Sequence, residues 1–195
     1  PPVLETKWKK EGRYEKEMKE LEDFFKERKL LRTPRNYVIK WLTDYIREFG
    51  IDGFKCTIVN FTDDETWIDL KREAKVAVEG YKTKYPDKVI DKDTEVCMIG
   101  EVPNRGVVKD EYNELDVFDA MINFNFIDVS RQNVKDKYDE LEKVNTDNFS
   151  EVSYISSHDI SLYKTGDMDG GTFLLLAPGA IQILYGDETA RPYEW

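Results

Sequence analysis

Several polar side chains, most of them able to take part in acid–base chemistry, directly follow short apolar runs. They are Asn60, Glu101, the pair His158-Asp159 and the pair Asp187-Glu188. His158 is the only histidine of the chain. A single imidazole excludes a histidine-rich metal site and argues against a Ser-His-Asp triad, because no nucleophile elbow accompanies it. The carboxylates and the single imidazole are the groups of this set that can act as a general acid or base.

Strand-like runs alternate along the chain with helical stripes, and this alternation predicts a parallel α/β sheet. The strands are predicted over 53–59, 96–102, 120–126, 152–156 and 181–185. Helices are predicted over 14–28, from Thr33-Pro34 to Phe49, from Trp67 to Tyr81, around Val134–Leu141 and over 172–177. In (β/α)8 barrels the chemistry lies at the C-terminal ends of the strands, which is where the polar residues stand.

The length of the chain limits how much of a barrel it can form. A complete (β/α)8 barrel takes about 250 residues, whereas this chain has 195. We therefore expect a partial (β/α)8 TIM barrel of about five parallel strands with flanking helices. Residues 1–50 are expected to be a helical segment that leads into the barrel at 51–195, and both parts are expected to form a single domain.

Composition restricts the partners and the compartment. A net charge of −11 argues against nucleic acid, which needs clustered Lys and Arg. No apolar run has the length of a membrane span. No glycine-rich phosphate loop follows a strand, so a nucleotide-binding fold is the weaker option. The sequence starts at Pro1-Pro2 with no basic-then-apolar segment, so we expect that any secretion leader was removed or never existed. The two cysteines, Cys56 and Cys97, lie in strand-like runs and are expected to be buried thiols.

Four segments have sequences that fit a known set of barrel motifs. They are Tyr45–Asn60 with its Asp-Gly-Phe, Ile99-Gly-Glu-Val102, Tyr154-Ile-Ser-Ser-His-Asp159, and Ala177-Pro-Gly-Ala180 through Ile183-Leu-Tyr-Gly-Asp-Glu188. In order and spacing they resemble strands four, five, seven and eight of the catalytic barrel of the α-amylase-type glycoside hydrolases. The sequences of these segments are most similar to those of periplasmic or secreted bacterial α-amylases. The resemblance implies an α-glucan or oligosaccharide as partner and a periplasmic or extracellular location.

The resemblance also implies roles for individual residues. Retaining glycosidases need one carboxylate that attacks the anomeric carbon and one that protonates the leaving oxygen. Glu101 would be the acid/base and Asp159 the transition-state stabiliser, with His158 bonding the sugar. Lys55 and Asn60 stand at positions where the family has an Arg and a Lys that contact the site. Asp187 is expected to fix a turn, and Glu188 to line the rim.

One departure from the family pattern bears directly on catalysis. Thr57 stands where the family has its nucleophilic Asp. A hydroxyl is a poor nucleophile without a base, and it offers no charge to a developing oxocarbenium ion. The Lys55 cation would in addition favour a charged carboxylate nearby, whereas a general acid must carry a proton.

Two functions therefore remain open. The chain could be a fragment or variant of an α-glucan hydrolase with impaired catalysis, or a non-catalytic carbohydrate-binding or assembly module derived from one. The family's third-strand motif has no counterpart here, so we expect the missing strands from the same parent chain or another subunit. Calcium occurs in the family, but its ligands are not evident, and Asp167 and Asp169 fit a polar turn better than a calcium loop.

Overall fold

The structure is a computed structural model that describes residues 2–160 and 168–189. The helices are α1 (Pro2–Lys10), α2 (Tyr14–Arg28), α3 (Pro34–Phe49), α4 (Asp64–Lys84), α5 (Glu111–Glu114), α6 (Val134–Val144) and α7 (Met168–Leu175). The strands are β1 (Gly53–Cys56), β2 (Cys97–Gly100), β3 (Ala120–Asn123), β4 (Ser150–Ser153) and β5 (Ala180–Ile181). The chain divides into two compact units, 1–51 with 72–90, and 52–71 with 91–195.

Helix α3 begins and ends where its local sequence predicts. The Thr33 side chain accepts a hydrogen bond from the Asn36 N–H at 3.3 Å, and Pro34 occupies the first helical position. Gly50 ends the helix with φ 65°, the left-handed conformation that glycine adopts without strain. A side chain at position 50 would also collide with the Tyr81 ring, because its Cβ atom would lie 2.4 Å from Cζ of that ring. The predicted start and end of this helix are confirmed.

The first unit is helical and has its own aromatic core. Trp8 of α1 packs with Leu21, Phe24 and Phe25 of α2, and all four are buried. The ring centroids of Phe24 and Phe25 lie 5.4 Å apart in an edge-on arrangement. The apolar stripe of α2 therefore serves packing, as its helical spacing predicts.

The second unit contains a single five-stranded sheet whose strands follow one another in chain order and are all parallel. The number and the direction of the strands agree with the prediction of a partial (β/α)8 barrel. Within the described residues, β1 pairs with β2 alone and β5 with β4 alone. Both edges of the sheet thus present backbone groups without a strand partner.

The strands are shorter at their C-terminal ends than the apolar runs predict. The chain leaves the sheet after Cys56 and after Asn123 and forms 3-10 turns over Val59–Phe61 and Phe124–Asp128. The Trp67 indole N–H donates to the Val59 carbonyl at 3.1 Å, and the Asn123 side chain accepts from the Asn125 N–H at 2.9 Å. These local bonds take the backbone out of the ladder; beyond it Val59 and Phe126 are buried, whereas Phe61 is exposed.

Two minor expectations are wrong. Asp169 lies in the first turn of α7 rather than in a polar turn, and both of its carboxylate oxygens accept from the Arg131 guanidinium; Asp167 lies outside the described residues. Cys97 is exposed because it opens β2 at the sheet margin, whereas Cys56 is buried as predicted.

The second unit has apolar clusters around its sheet. Ala120, Ile122, Val152 and Tyr154 form one buried cluster, which Phe124 joins. A second cluster, built from turn, loop and helix residues, consists of Phe126, Val129, Leu141, Ile155 and Leu174. None of the helices within 2–160 and 168–189 has the length and apolar character that crossing a membrane requires.

Candidate functional site

A cleft of about 290 Å³ opens at the C-terminal ends of the five strands. Its walls are Lys55, Glu101, Ile122, Phe124, Tyr154, Ser157, His158, Asp159 and Gln182. Each strand, or the loop directly after it, contributes at least one of these residues. Parallel strands bring their C-terminal ends to one edge of the sheet, and this edge is where ligands bind in α/β folds. The cleft has an apolar floor with a few polar groups around it, as small-molecule sites do.

Glu101 is the carboxylate held most firmly in this cleft. Its side chain is 12% exposed, and one of its oxygens accepts a hydrogen bond from the Lys55 ammonium. Its backbone is fixed on both sides, since its N–H donates to the Cys56 carbonyl and its carbonyl accepts from the Val59 N–H, both at 2.9 Å. Lys55, whose cation was expected near a carboxylate of the site, forms an ion pair with Glu101.

His158 and Asp159 lie on a turn after β4 and project into solvent at the mouth of the cleft. Their side chains are 71% and 60% exposed, and His158 Nε2 lies 3.5 Å from Asp159 Oδ1. The Asp159 N–H donates to the Ser157 hydroxyl at 3.2 Å, which shapes the turn. Both side chains can therefore reach a ligand that enters the cleft.

Tyr154 forms part of the cleft floor and was not among the residues that the sequence singled out. Burial, followed by the negative charges of Glu101 and Asp159, raises the pKa of Tyr154 to about 12, so its hydroxyl stays protonated at neutral pH. The Phe124 ring meets it edge-on with centroids 5.7 Å apart. Gln182, which follows β5, was missed as well. Both residues stand inside predicted strand runs, and the position of Tyr154 at the start of the His-Asp segment is the signal that could have found it.

Thr57 and Asn60 do not line the cleft. Thr57 follows β1 directly and is exposed, and Asn60 is exposed in the 3-10 turn Val59–Phe61. Between them Ile58 has φ 54°, a left-handed conformation that is rare for a β-branched residue. The structure thus brings Lys55, Glu101, His158 and Asp159 together and leaves the other two predicted residues outside.

A buried ion pair lies behind the loop that follows Glu101. One terminal nitrogen of Arg105 donates to both carboxylate oxygens of Glu151 at 2.9 Å, and its Nε donates to Asp110 at 2.9 Å. The side chains of Arg105 and Glu151 are 4% and 0% exposed. Burial raises the pKa of Glu151 to about 7, although the Arg105 charge acts in the opposite direction. Nothing in the sequence pattern indicated this pair, because its members are 46 residues apart.

Among the described residues, no group of three or more His, Cys, Asp or Glu side chains could hold a metal ion. The side chains of the cleft are thus the chemical groups that the described site offers to a ligand. They comprise two carboxylates, one ammonium, one imidazole, a phenol, an amide and a hydroxyl.

The chain is similar to known proteins both in sequence and in fold. No protein-family model matches the chain. The periplasmic α-amylase of Escherichia coli strain K12 is 38% identical over 170 residues, which cover 83% of this chain and 24% of that protein. The chain therefore spans about a quarter of the length of the curated relative it matches.

Solved structures share the fold. The α-amylase of Geobacillus thermoleovorans, solved with acarbose, superposes with a TM-score of 0.61 at 19% identity, over 80% of this chain and 37% of that one. AmyP, solved with maltose, gives a TM-score of 0.58 at 13% identity, over 85% of this chain and 40% of that one. At these identities the likeness concerns the fold, and the relationship in sequence rests on the Escherichia coli protein. In sequence and in fold, the chain matches part of an α-amylase-type glycoside hydrolase, and its five parallel strands fit a partial (β/α)8 barrel.

Proposed function

We propose that the chain forms the part of an α-glucan site that contains Glu101 and the sugar-binding residues His158 and Asp159. We further infer that it binds α-glucans or oligosaccharides without hydrolysing them. One observation carries this proposal. Among the described residues that line the cleft, the carboxylates are Glu101 and Asp159, and Glu101 is already paired with Lys55. By the resemblance, neither of them stands at the position of the family's nucleophile, where this chain has Thr57.

The chemistry of a retaining glycosidase explains why turnover should fail. A carboxylate nucleophile and a carboxylic acid must stand about 5–5.5 Å apart on either side of the glycosidic bond. Thr57 supplies no carboxylate and does not line the cleft. The ammonium of Lys55 occupies one oxygen of Glu101, so that oxygen is not free to contact a substrate.

The cleft nevertheless retains features that suit a sugar. Phe124 and Tyr154 offer aromatic surface, while His158, Asp159 and Gln182 offer polar groups around it. Such a combination buries the apolar face of a ligand and orients its hydroxyl groups. The two structural neighbours were solved with acarbose and with maltose, which makes these compounds the natural probes.

We further propose that the rest of the barrel pairs with β1 and β5. These strands lack a second partner within the described residues, and parallel sheets are rarely stable with open faces. The remaining strands would come from the same parent chain or from another subunit, and residues 1–50 would lead into the barrel formed by 51–195. By analogy with the Escherichia coli relative, we propose a periplasmic or extracellular location.

A second candidate is a hydrolase fragment that turns over slowly once its barrel is complete. The observation in its favour is that Glu101, His158 and Asp159 remain together at the mouth of one cleft. This function needs a nucleophile from the part of the barrel that lies outside this chain, so it differs from the first in requiring a measurable turnover.

The test compares binding with turnover in the same preparation. We expect the chain to bind maltose and acarbose in a calorimetric titration but not to release the aryl group of an aryl maltoside. Asp159→Asn should weaken binding about tenfold, the effect of losing one charged hydrogen bond. Asp169→Asn makes the same change outside the cleft, on a carboxylate paired with Arg131, and should leave binding unchanged.

Two results would contradict the proposal. Absence of binding to both sugars would remove the binding function. Turnover that disappears in Glu101→Gln would instead favour the hydrolase fragment, because it would show that Glu101 acts as acid/base in this chain.

A further inference from the structure

A partly buried hydrogen bond joins the strand end that carries His158 and Asp159 to the loop after β5. The Ser156 hydroxyl donates to Oδ2 of Asp187, and Ser156 is 0% exposed. Ser156 lies two residues before His158, directly at the base of the turn. Asp187 opens the 3-10 turn Asp187–Thr189.

This bond extends the contact between β4 and β5 beyond the sheet. Those strands pair through Val152 with Ala180 and Ser153 with Ile181, and the last backbone link is the Gln182 N–H, which donates to the Ser153 carbonyl at 2.8 Å. The Ser156–Asp187 bond is the next link, three residues farther along the chain from β4. The bond therefore fixes the start of the turn at a point where β4 and β5 are no longer paired.

The loop after β5 does not require this bond for its own turn. The Asp187 N–H donates to the Leu184 carbonyl at 2.9 Å, and the Gly186 N–H donates to the Glu188 carboxylate at 2.8 Å. Asp187 was expected to fix a turn, but its carboxylate instead reaches across to the adjacent strand end. A hydroxyl-to-carboxylate bond is stronger than a neutral one.

We propose that Asp187 is a positioning residue, which holds His158 and Asp159 at the cleft through its bond to Ser156. His158 and Asp159 are mostly exposed, so their placement depends on the backbone that carries them rather than on packing around the side chains. Binding groups need a fixed supporting shell, because a displacement of about 1 Å can reduce their contribution strongly. The sugar-binding consequence rests on the proposed function, whereas the placement of His158 does not.

The single histidine allows a direct test. In the full chain without a histidine tag, the imidazole C–H signals in a proton–carbon NMR spectrum come from His158 alone. Ser156→Ala and Asp187→Ala are each expected to shift or broaden these signals. Asp187→Asn keeps an acceptor oxygen and should retain the wild-type signals.

A matched pair elsewhere in the same unit serves as control. The Thr66 hydroxyl donates to the Asp63 carboxylate at 2.9 Å near the start of α4, which is the same chemical contact outside the cleft. Thr66→Ala should lower the melting temperature without changing the His158 signals. If Ser156→Ala and Asp187→Ala also lower the melting temperature and leave the His158 signals unchanged, the bond is structural only and the inference is wrong.

The second arm uses maltose and acarbose as probes. Ser156→Ala and Asp187→Ala should each weaken binding about threefold to tenfold, in the range expected when one supporting hydrogen bond of a binding group is lost. The double variant should bind about as weakly as either single variant, because both remove the same bond. Fully additive losses would contradict the inference. If the wild-type chain binds neither sugar, the proposed function fails, and the His158 signals alone still decide whether Asp187 positions the turn.

Discussion

The buried pair Arg105–Glu151 provides the sharpest test of how the structure is held together next to the site. Arg105→Met removes the cation and leaves the Glu151 carboxylate, 0% exposed, without its principal partner. Breaking a buried ion pair in this way costs about 3–5 kcal/mol, because the remaining charge is neither solvated nor compensated. We therefore expect a loss of this size in the free energy of unfolding at pH 8.

The loss should depend on pH in a defined direction. In the wild-type protein the pKa of Glu151 lies at about 7, above its ordinary 4.5. A carboxyl whose pKa is raised by folding contributes stability below its unfolded pKa and loses it as pH rises through the folded value. This contribution falls by about 3 kcal/mol between pH 4.5 and pH 7, at about 1.4 kcal/mol for each pH unit.

Without Arg105 the pKa of Glu151 rises further, so the window in which stability is lost extends above pH 7. At pH 5 the carboxyl is protonated in the folded variant, and the cost of Arg105→Met shrinks to that of lost hydrogen bonds, about 1–3 kcal/mol. The assay is urea unfolding followed by circular dichroism at pH 5, 6, 7 and 8. Glu151→Gln removes the titrating group and should flatten the pH dependence of the midpoint.

Two controls complete the series. Arg131→Met removes the same side chain from a pair that is 76% and 38% exposed, and it should leave the urea midpoint unchanged. Replacing Arg105 and Glu151 together with Met should recover part of the stability, because the fully buried Glu151 charge is removed, while Asp110 still loses its bond to Arg105. An Arg105→Met variant that is equally destabilised at pH 5 and pH 8 would refute the reasoning.

The strand ends lead to three further predictions. Thr57→Asp alone should not produce turnover of an aryl maltoside, because position 57 does not line the cleft; family-like turnover from that change would show that the rest of the barrel is dispensable. Ile58→Asn should raise the free energy of unfolding by about 0.5–1 kcal/mol, since Asn tolerates φ 54° better, whereas Ile90→Asn at a fully exposed site should not. The isolated chain should sediment as soluble oligomers through the open edges of β1 and β5; a compact monomer would contradict this.

The sequence predicted the local structure well wherever a side chain acts on its own backbone. Thr33, Pro34 and Gly50 specify the two ends of α3 through a cap, a fixed φ and a left-handed residue, and these effects need no tertiary contact. The five parallel strands were likewise predictable, because alternation of apolar runs and helical stripes is a property of the chain itself.

The sequence also located four of the six candidate site residues in one place. Lys55, Glu101, His158 and Asp159 each follow or end a strand, and parallel topology alone brings such positions together. Thr57 and Asn60 satisfied the same rule and lie outside the cleft, because the backbone turns at Ile58 and carries them away.

Only the tertiary structure decided which distant segments contact each other. The ion pair of Lys55 with Glu101 spans 46 positions, that of Arg105 with Glu151 spans 46, and the bond between Ser156 and Asp187 spans 31. Sequence periodicity reports which face of an element is apolar, but it carries no information on which polar group of another element will face it. Types and order of residues therefore determined the resemblance, the sheet and the edge where the site lies, while three-dimensional packing determined which charged groups meet.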